Sequence, residues 1–185
     1  MKLKAFKRNA EKSNNNKLRR EGKIPAIIYK KGKDGEILAV DKQMFTAIVR
    51  KLQPGQLPTT VFSLEDEAGT SRRVIVKEIQ YNIINYDVIH LDFEELVDDI
   101  YVNVKVPIEC TGVADCPGLK LGGALRLVIR HLKIRCLPKD IPTAFFVDIS
   151  NLSINEVKRL IELDIPETVR PLMNLNEVAI AIVKR

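Results

Sequence analysis

Residues 72–93, RRVIVKEIQYNIINYDVIHLDF, contain two strand-like runs on either side of a short connection, and these runs decide the fold class. In the first run, Arg72–Tyr81, apolar residues alternate with polar ones over part of the length. A period of two is typical of a strand with one buried face. We therefore predict a strand that points Val74, Val76 and Ile79 into a core.

The second run, Val88–Phe93, also alternates, so its residues separate onto two faces of a strand. The apolar face, which we expect in the core, consists of Ile89, Leu91 and Phe93. The other face carries His90 and Asp92 together with Val88. We therefore expect His90 and Asp92 to point outward side by side.

Similar signals surround this pair of strands. Pro25 excludes a helix at its own position, and further strands are predicted over Ala26–Tyr29, Glu36–Val40 and Thr60–Leu64. Asp41 is a plausible N-cap for an amphipathic helix over Lys42–Leu52, which Pro54 and Gly55 would end. At least five strands and one helix in about ninety residues favour a small β-barrel or a curled sheet.

The second half is also mainly β, with one short helix. Strands are predicted over Ile100–Ile108, in two runs within Leu125–Cys136, and over Phe145–Ile149 and Glu177–Val183. A loop is predicted over Thr111–Gly123. The helix, capped by Asn151 or Ser153, is predicted across Glu156–Ile161. The acidic stretch Glu94–Asp99 separates the halves, because the charge is +7 up to Phe93 and −1 beyond it. We therefore expect two domains, residues 1–94 and 95–185.

Positive charge is concentrated at the N-terminus. Residues 1–33 contain twelve Lys and Arg but only two acids, so this segment has a charge of +10. Because the net charge of the whole chain is +6, the other residues sum to −4. Clustered cations bind polyanions by neutralising phosphates and releasing counterions. A solvated basic arm without a partner is the plain alternative. An anionic membrane surface ranks lower, because the arm has few bulky apolar residues.

Other features indicate an intracellular protein without a bound cofactor. No run of about 18 apolar residues predicts a transmembrane helix, and the first residues lack the apolar region of a secretory signal. A cytoplasmic location follows by default. The chain contains three cysteines, Cys110, Cys116 and Cys136, and their spacing is not that of a zinc site. Because the number is odd, we expect reduced, buried thiols rather than disulfides or a metal site.

The sequence contains little that suggests catalysis. Phosphate-binding, dinucleotide-binding and nucleophile-elbow motifs are absent, and His90 beside Asp92 is a weak signal for a base or a metal pair. We therefore do not expect an enzyme, although one using these two residues is a third hypothesis. RNA recognition explains the pair better, because His donates to phosphate or ribose oxygens and Asp accepts from a 2′-hydroxyl or a guanine amino group.

Three motifs in order resemble a known family. KLRREGKIPAIIY (residues 17–29) and IQYNIINYDVIHLDF (residues 79–93) are similar to segments of the bacterial large-subunit ribosomal protein L twenty-five. GVADCPGLKLGGAL, CLPKDIP and VDISNL resemble the C-terminal domain of its long form, the general stress protein Ctc. The resemblance covers nearly the whole chain. It implies a six-stranded β-barrel that binds 5S ribosomal RNA, followed by a second β-rich domain.

The resemblance also implies which residues contact the RNA. Carried over by position, they are Lys7, Arg8, Lys12, Lys17, Arg19, Arg20, Lys23, Tyr29, Gln80, Tyr81, His90 and Asp92. The chain departs from the family pattern at Asn16, Lys30 and Asn82-Ile83. The implied partners are 5S RNA, other large-subunit ribosomal proteins and 23S RNA, and the chain would be a monomer off the ribosome.

A rival hypothesis assigns the main role to the second half. In this alternative the chain is a stress-related RNA- or protein-binding module that acts on the ribosome through its C-terminal domain. The charge of −1 and the lack of a basic cluster beyond Phe93 argue against a second independent RNA site there.

Overall fold

The computed structural model describes residues 1–8, 14–30, 32, 34–66 and 69–184. The chain divides into two compact units, Met1–Ile100 and Tyr101–Arg185. The fold class predicted from the sequence is confirmed, since the chain is mainly β with few helices and both units are built from strands.

The first unit is a closed barrel of six strands. The strands are β1 (Lys2–Lys7), β2 (Lys23–Tyr29), β3 (Glu36–Asp41), β4 (Val61–Glu65), β5 (Ser71–Tyr81) and β6 (Val88–Glu95). They pair in the order β1-β3-β2-β6-β5-β4, and a parallel ladder between β1 and β4 closes the barrel. Among the described strands of this unit, closure leaves no unpaired sheet edge.

Two short helices accompany the barrel: α1 (Asn14–Arg20) after β1, and α2 (Lys42–Val49) after β3. Asp41 caps α2 as predicted, because its side chain accepts a hydrogen bond of 2.8 Å from the Met44 backbone. The expected extent of this helix was wrong at its C-terminal end. It ends at Val49, and Leu52 lies in the following turn.

The barrel is filled by apolar side chains from all six strands and α2. Its largest fully buried members include Leu3, Ile24, Leu38, Phe45, Phe62, Phe93 and Leu91. The inward assignment of Val74, Val76 and Ile79 is confirmed, since all three belong to this core or pack against it. A β-bulge at Lys77 accounts for the spacing, because an extra residue shifts the alternation between Val76 and Ile79.

Strand β1 lies within the segment that the charge distribution marks as a basic arm. Leu3 and Ala5 are buried while Lys2 and Lys4 are exposed, so the strand alternates like the others. It supplies the sixth strand of the barrel, beyond the five predicted from the residues alone.

The second unit contains two sheets. Its strands are β7 (Val102–Thr111), β8 (Ala124–Leu127), β9 (His131–Cys136), β10 (Phe145–Asp148), β11 (Val157–Arg159), β12 (Arg170–Pro171) and β13 (Val178–Val183). A four-stranded sheet has the order β10-β7-β9-β12, and a three-stranded sheet has the order β11-β13-β8.

The short helix predicted across Glu156–Ile161 was wrong. Strand β11 occupies half of that range and pairs antiparallel with β13, and a 3₁₀ turn follows at Leu160–Glu162. The Ile182 N–H donates to the Glu156 carbonyl, and the Asn155 N–H donates to the Ile182 carbonyl. These cross-strand bonds override the helical pattern. The single α-helical turn of this unit, α3 (Pro117–Lys120), lies instead in the predicted loop.

Candidate nucleic-acid interface

Helix α1 is fastened to the barrel by Arg19. The Nε and Nη2 atoms of Arg19 donate to the Ile89 carbonyl at 3.2 and 3.1 Å, and Nη1 donates to Asn16 at 3.1 Å. Leu18, beside it in sequence, is buried. Arg19 therefore positions the helix, whereas Lys17 and Arg20, three residues apart and so on one side of α1, are exposed.

The carbonyl that Arg19 binds belongs to a second β-bulge. Gln80 lies opposite His90 and Tyr81 lies opposite Val88, so Ile89 is the extra residue of β6. A bulged residue is left out of the ladder, and its carbonyl is therefore available to a side chain. The ladder between β2 and β6 begins at Ala26. Pro25 lies directly before it and has no N–H to donate to β6.

The bulge corrects the predicted faces of β6 at its beginning. Val88 packs against the barrel core, although it was assigned to the outer face. Ile89, which was expected in the core, lines a surface cavity. Beyond the bulge the assignment is confirmed, since Leu91 and Phe93 are fully buried. The extra residue shifts the alternation by one position, and the sequence pattern contains no sign of it.

His90 and Asp92 lie together on β6, and their side chains are only partly exposed, at 17% and 22%. Nδ1 of His90 is 2.7 Å from Oδ1 of Asp92, which makes an ion pair when the imidazole is protonated. No described residue makes a hydrogen bond with Nδ1, which is shielded from solvent.

The neighbouring strand β5 places two polar side chains beside this pair. On β5, Gln80 lies opposite His90, and Glu78 lies opposite Asp92. On β2, Ile27 lies level with Asp92 in the parallel ladder. Two carboxylates, of Asp92 and Glu78, thus lie beside two side chains that can donate, His90 and Gln80, on β6 and β5. We call this surface, with Ile27 at its β2 side, the barrel face.

The two predicted aromatic contacts, Tyr29 and Tyr81, are both exposed, at 43% and 49%. Tyr29 ends β2 beside Glu94, two positions along from the level of Asp92. A Cβ added to Gly35 would lie 3.1 Å from the Tyr29 ring, so the ring extends over this glycine. Lys30, a departure from the family pattern, pairs with Glu95 at 2.9 Å.

The departure at Asn82-Ile83 forms a defined turn between β5 and β6. Oδ1 of Asn82 accepts from the Ile84 N–H at 2.9 Å, and the Asn82 carbonyl accepts from the Tyr86 N–H at 2.9 Å. Tyr86 has a left-handed φ of 54°. Asn tolerates such turns because its side chain replaces a backbone hydrogen bond. Ile83 and Ile84 project at the tip, 90% and 91% exposed.

The remaining predicted contacts are dispersed around the barrel. Lys7 is exposed at the end of β1. Arg8 donates to the Leu38 carbonyl at 3.0 Å and to Asn15. Burial, and then the charge of Arg19, hold the pKa of Arg8 below its usual range. Lys23 stacks over Phe6, with Nζ 4.5 Å from the ring centre. Lys12 lies outside the described residues.

A surface cavity of about 180 Å³ lies between the helices and this hairpin. Its lining consists of Arg19, Lys23, Lys42, Asn82, Asn85, Asp87, Val88 and Ile89. Lys42, which no sequence motif indicated, pairs with Asp87 at 2.8 Å and joins α2 to the hairpin. In the sequence, Lys42 is distinguished only by its position directly after the capping Asp41. That position does not indicate a partner as distant in sequence as Asp87.

Chemistry other than binding is poorly represented. The part of the chain that the structure describes contains no group of three or more His, Cys, Asp or Glu side chains placed to hold a metal ion. Cys116 and Cys136 are buried, Cys110 is half-buried, and all three are free thiols. None of the described helices is both long enough and apolar enough to span a bilayer.

Comparisons with known proteins agree with the two-unit architecture. Residues 3–93 match the model described as the Ribosomal L25p family, and residues 101–185 match the model of the ribosomal protein TL5 C-terminal domain. The chain is therefore a ribosomal protein. Over 169 residues, 91% of each chain, it is 44% identical to the large ribosomal subunit protein bL25 of Chlamydia trachomatis serovar L2. The corresponding proteins of Chlamydia muridarum and Chlamydia pneumoniae are 42% and 43% identical over the same shares. The chain belongs to the family of large ribosomal subunit protein bL25.

Proposed function

We propose that this large-subunit protein is a non-enzymatic constituent of the ribosome that binds 5S ribosomal RNA through residues 1–94. It would act in the cytoplasm without a cofactor, as a monomer until it joins the subunit. Its other neighbours there would be large-subunit proteins and 23S RNA. Residues 95–185 would form the second domain.

The observation that carries this proposal is the attachment of α1 to the bulge at Ile89. Arg19 holds the helix against β6 one residue before His90. The exposed cations Lys17 and Arg20 therefore lie on a helix fixed beside the barrel face, and not on a free arm. Fixed cations lose less conformational entropy when they bind phosphates than cations on a flexible tail do.

The barrel face complements those cations. A surface containing Glu78 and Asp92 would repel phosphates, but its carboxylates can accept hydrogen bonds from 2′-hydroxyls and guanine amino groups. The shallow minor groove of RNA presents both groups. We therefore assign phosphate binding to α1 and recognition of the RNA minor groove to the barrel face.

A titration of the full chain against 5S RNA and against an unrelated RNA duplex of equal length tests this assignment. Asp92→Asn keeps the shape of the side chain but replaces one acceptor with a donor. We expect 5S affinity to fall by about 1–3 kcal/mol, with little change on the unrelated duplex. Asp99→Asn changes an exposed residue of the first unit outside the barrel face, and it is the matched control for loss of one negative charge. Equal affinity of the unmodified chain for the two RNAs would contradict the proposal.

A further inference from the structure

The open face of the four-stranded sheet in the second unit carries cations in register. Lys105 on β7 lies directly opposite Lys133 on β9. Arg135 on β9 lies directly opposite Arg170 on β12. All four side chains are exposed, while the alternate residues of β7 and β9 are buried. We call these four residues the cationic sheet face.

Like charges directly opposite each other destabilise a pair of strands. Within the described ranges, none of the four cations has a carboxylate at ion-pair distance. Acidic residues of the same sheet, Glu109 and Asp148, lie toward β10, on the other margin from β12. The sheet thus keeps an unneutralised row of positive charge, which an anionic partner would offset.

Two neighbouring side chains support this interpretation. The Arg135 guanidinium lies 5.1 Å from the centre of the Tyr101 ring, which restricts it while leaving the aromatic ring half exposed. Burial first, and then the charges of Lys105 and Arg130, hold the pKa of His131 below its usual range. One member of the face, Lys105, therefore lies close enough to His131 for its positive field to act on the imidazole.

These residues are far apart in sequence, at positions 105, 133, 135 and 170, and the half of the chain that contains them has a net charge of only −1. The absence of a basic cluster noted in the sequence therefore does not hold in the folded unit. Four cations spread over three strands match an extended polyanion better than a small ion, and the polyanion that surrounds a ribosomal protein is RNA.

We propose that the cationic sheet face is a second RNA-binding surface, which holds the RNA backbone through its phosphates. This proposal does not depend on binding of 5S RNA by the first unit. Because the surface offers cations and no carboxylate acceptors among the four, it would hold and orient RNA with little preference for sequence.

The test uses the full chain and purified 23S RNA, with 5S RNA omitted. The double variants Lys105→Gln/Lys133→Gln and Arg135→Gln/Arg170→Gln each remove two charges from the face. The matched control, Lys120→Gln/Arg126→Gln, removes two exposed charges elsewhere in the same unit. If each cation contacts a phosphate, the plot of log affinity against log salt should become less steep by about 2 in each face variant. The same slope change in the control would overturn the proposal, because net charge alone would then explain it.

Photo-crosslinking in large subunits from cells gives an independent readout. A photoreactive residue replaces Lys133 in one chain and Arg126 in the control. RNA crosslinks from position 133 that exceed those from position 126 are expected. The absence of crosslinks from position 133 would overturn the proposal. Crosslinks from position 133 only to protein would also overturn it, and would favour an acidic protein partner instead. Failure of 5S binding in the separate titration would leave these results unaffected.

Discussion

The barrel face and the cationic sheet face are both polar β surfaces, but they distribute charge in opposite ways. On the barrel face, His90 and Gln80 alternate with Asp92 and Glu78, so donors and acceptors lie side by side. On the cationic sheet face, Lys105 and Lys133 lie opposite each other and carry one sign only. A mixed surface can distinguish hydrogen-bonding edges, whereas a uniformly charged surface recognises phosphate wherever it occurs.

The two regions also differ in how their cations are held. Arg19 in the first unit donates to a backbone carbonyl, so its charge serves the fold. Among the described residues, the four cations of the cationic sheet face make no such bond to a carbonyl, although Arg135 stacks on Tyr101. The sign of the change in the free energy of unfolding on mutation should therefore distinguish cations that stabilise the fold from cations that bind a ligand.

The largest effect should come from Arg19→Gln compared with Arg20→Gln. Each variant removes one positive charge from α1, but only Arg19 bonds to the Ile89 carbonyl. Because hydrogen bonds from charged groups contribute about 1.5–3 kcal/mol, we expect Arg19→Gln to lower the free energy of unfolding by about 2 kcal/mol. Arg20→Gln should leave it unchanged and should reduce the salt slope of 5S binding by about 1.

Urea denaturation followed by circular dichroism measures the first quantity, and filter binding at several salt concentrations measures the second. Equal stability of the two variants would show that α1 is not fastened to the barrel through Arg19. It would also remove the distinction between positioning cations and ligand-binding cations in this unit.

The alternating strands could be predicted from the sequence because their burial follows a local period. Val74, Val76, Leu91 and Phe93 lie where the pattern predicts. Strand β1 could also have been found, since Leu3 and Ala5 alternate with lysines. Its six residues were obscured by the surrounding charge, which suggested an arm.

The details of both faces could not be predicted, because they depend on pairings between distant residues. The bulge at Ile89 is a mismatch between two strands, and nothing in β6 alone indicates it. The role of Arg19 follows from that bulge. The cationic sheet face requires the register of β7, β9 and β12, which brings together residues up to 65 positions apart, from Lys105 to Arg170. Composition counts such charges but does not locate them.

A smaller effect, opposite in sign to that of Arg19→Gln, is expected for Lys133→Glu. This substitution replaces a like-charge pair with an opposite-charge pair across β7 and β9. Cross-strand pairs of opposite charge contribute about 0.2–1 kcal/mol, so the second unit should become more stable by that order. Its affinity for 23S RNA should fall at the same time, which separates stability from binding.

Arg126→Glu is the control for this change, because Arg126 lies opposite Ala181 and gains no charged partner. Thermal unfolding followed by circular dichroism gives the comparison. A loss of stability in Lys133→Glu would mean that Lys133 already has a favourable role in the folded unit. The cationic sheet face would then resemble Arg19 more than Arg20.

The smallest expected effect concerns the protonation of His131. Its pKa is lowered in the folded unit by burial and by Lys105 and Arg130, whereas the unfolded chain should titrate near the ordinary value of about 6.5. The unfolded state therefore binds more protons in the interval between the two pKa values. Stability is fully present above about pH 6.5, and part of it is lost as the pH falls from there to the folded pKa.

RNA on the cationic sheet face should offset the part of this depression that comes from neighbouring positive charge. Phosphates next to Lys105 would offset the positive field that disfavours the imidazolium, so the pKa of His131 should rise when 23S RNA is added. Proton NMR titration of the imidazole, free and with RNA fragments, measures the change, and His131→Gln assigns the signal against that of His90. A pKa of His131 that does not move on saturation with RNA would mean that phosphates do not approach this sheet. The contrast between a recognising barrel face and a backbone-holding sheet face would then have to be abandoned.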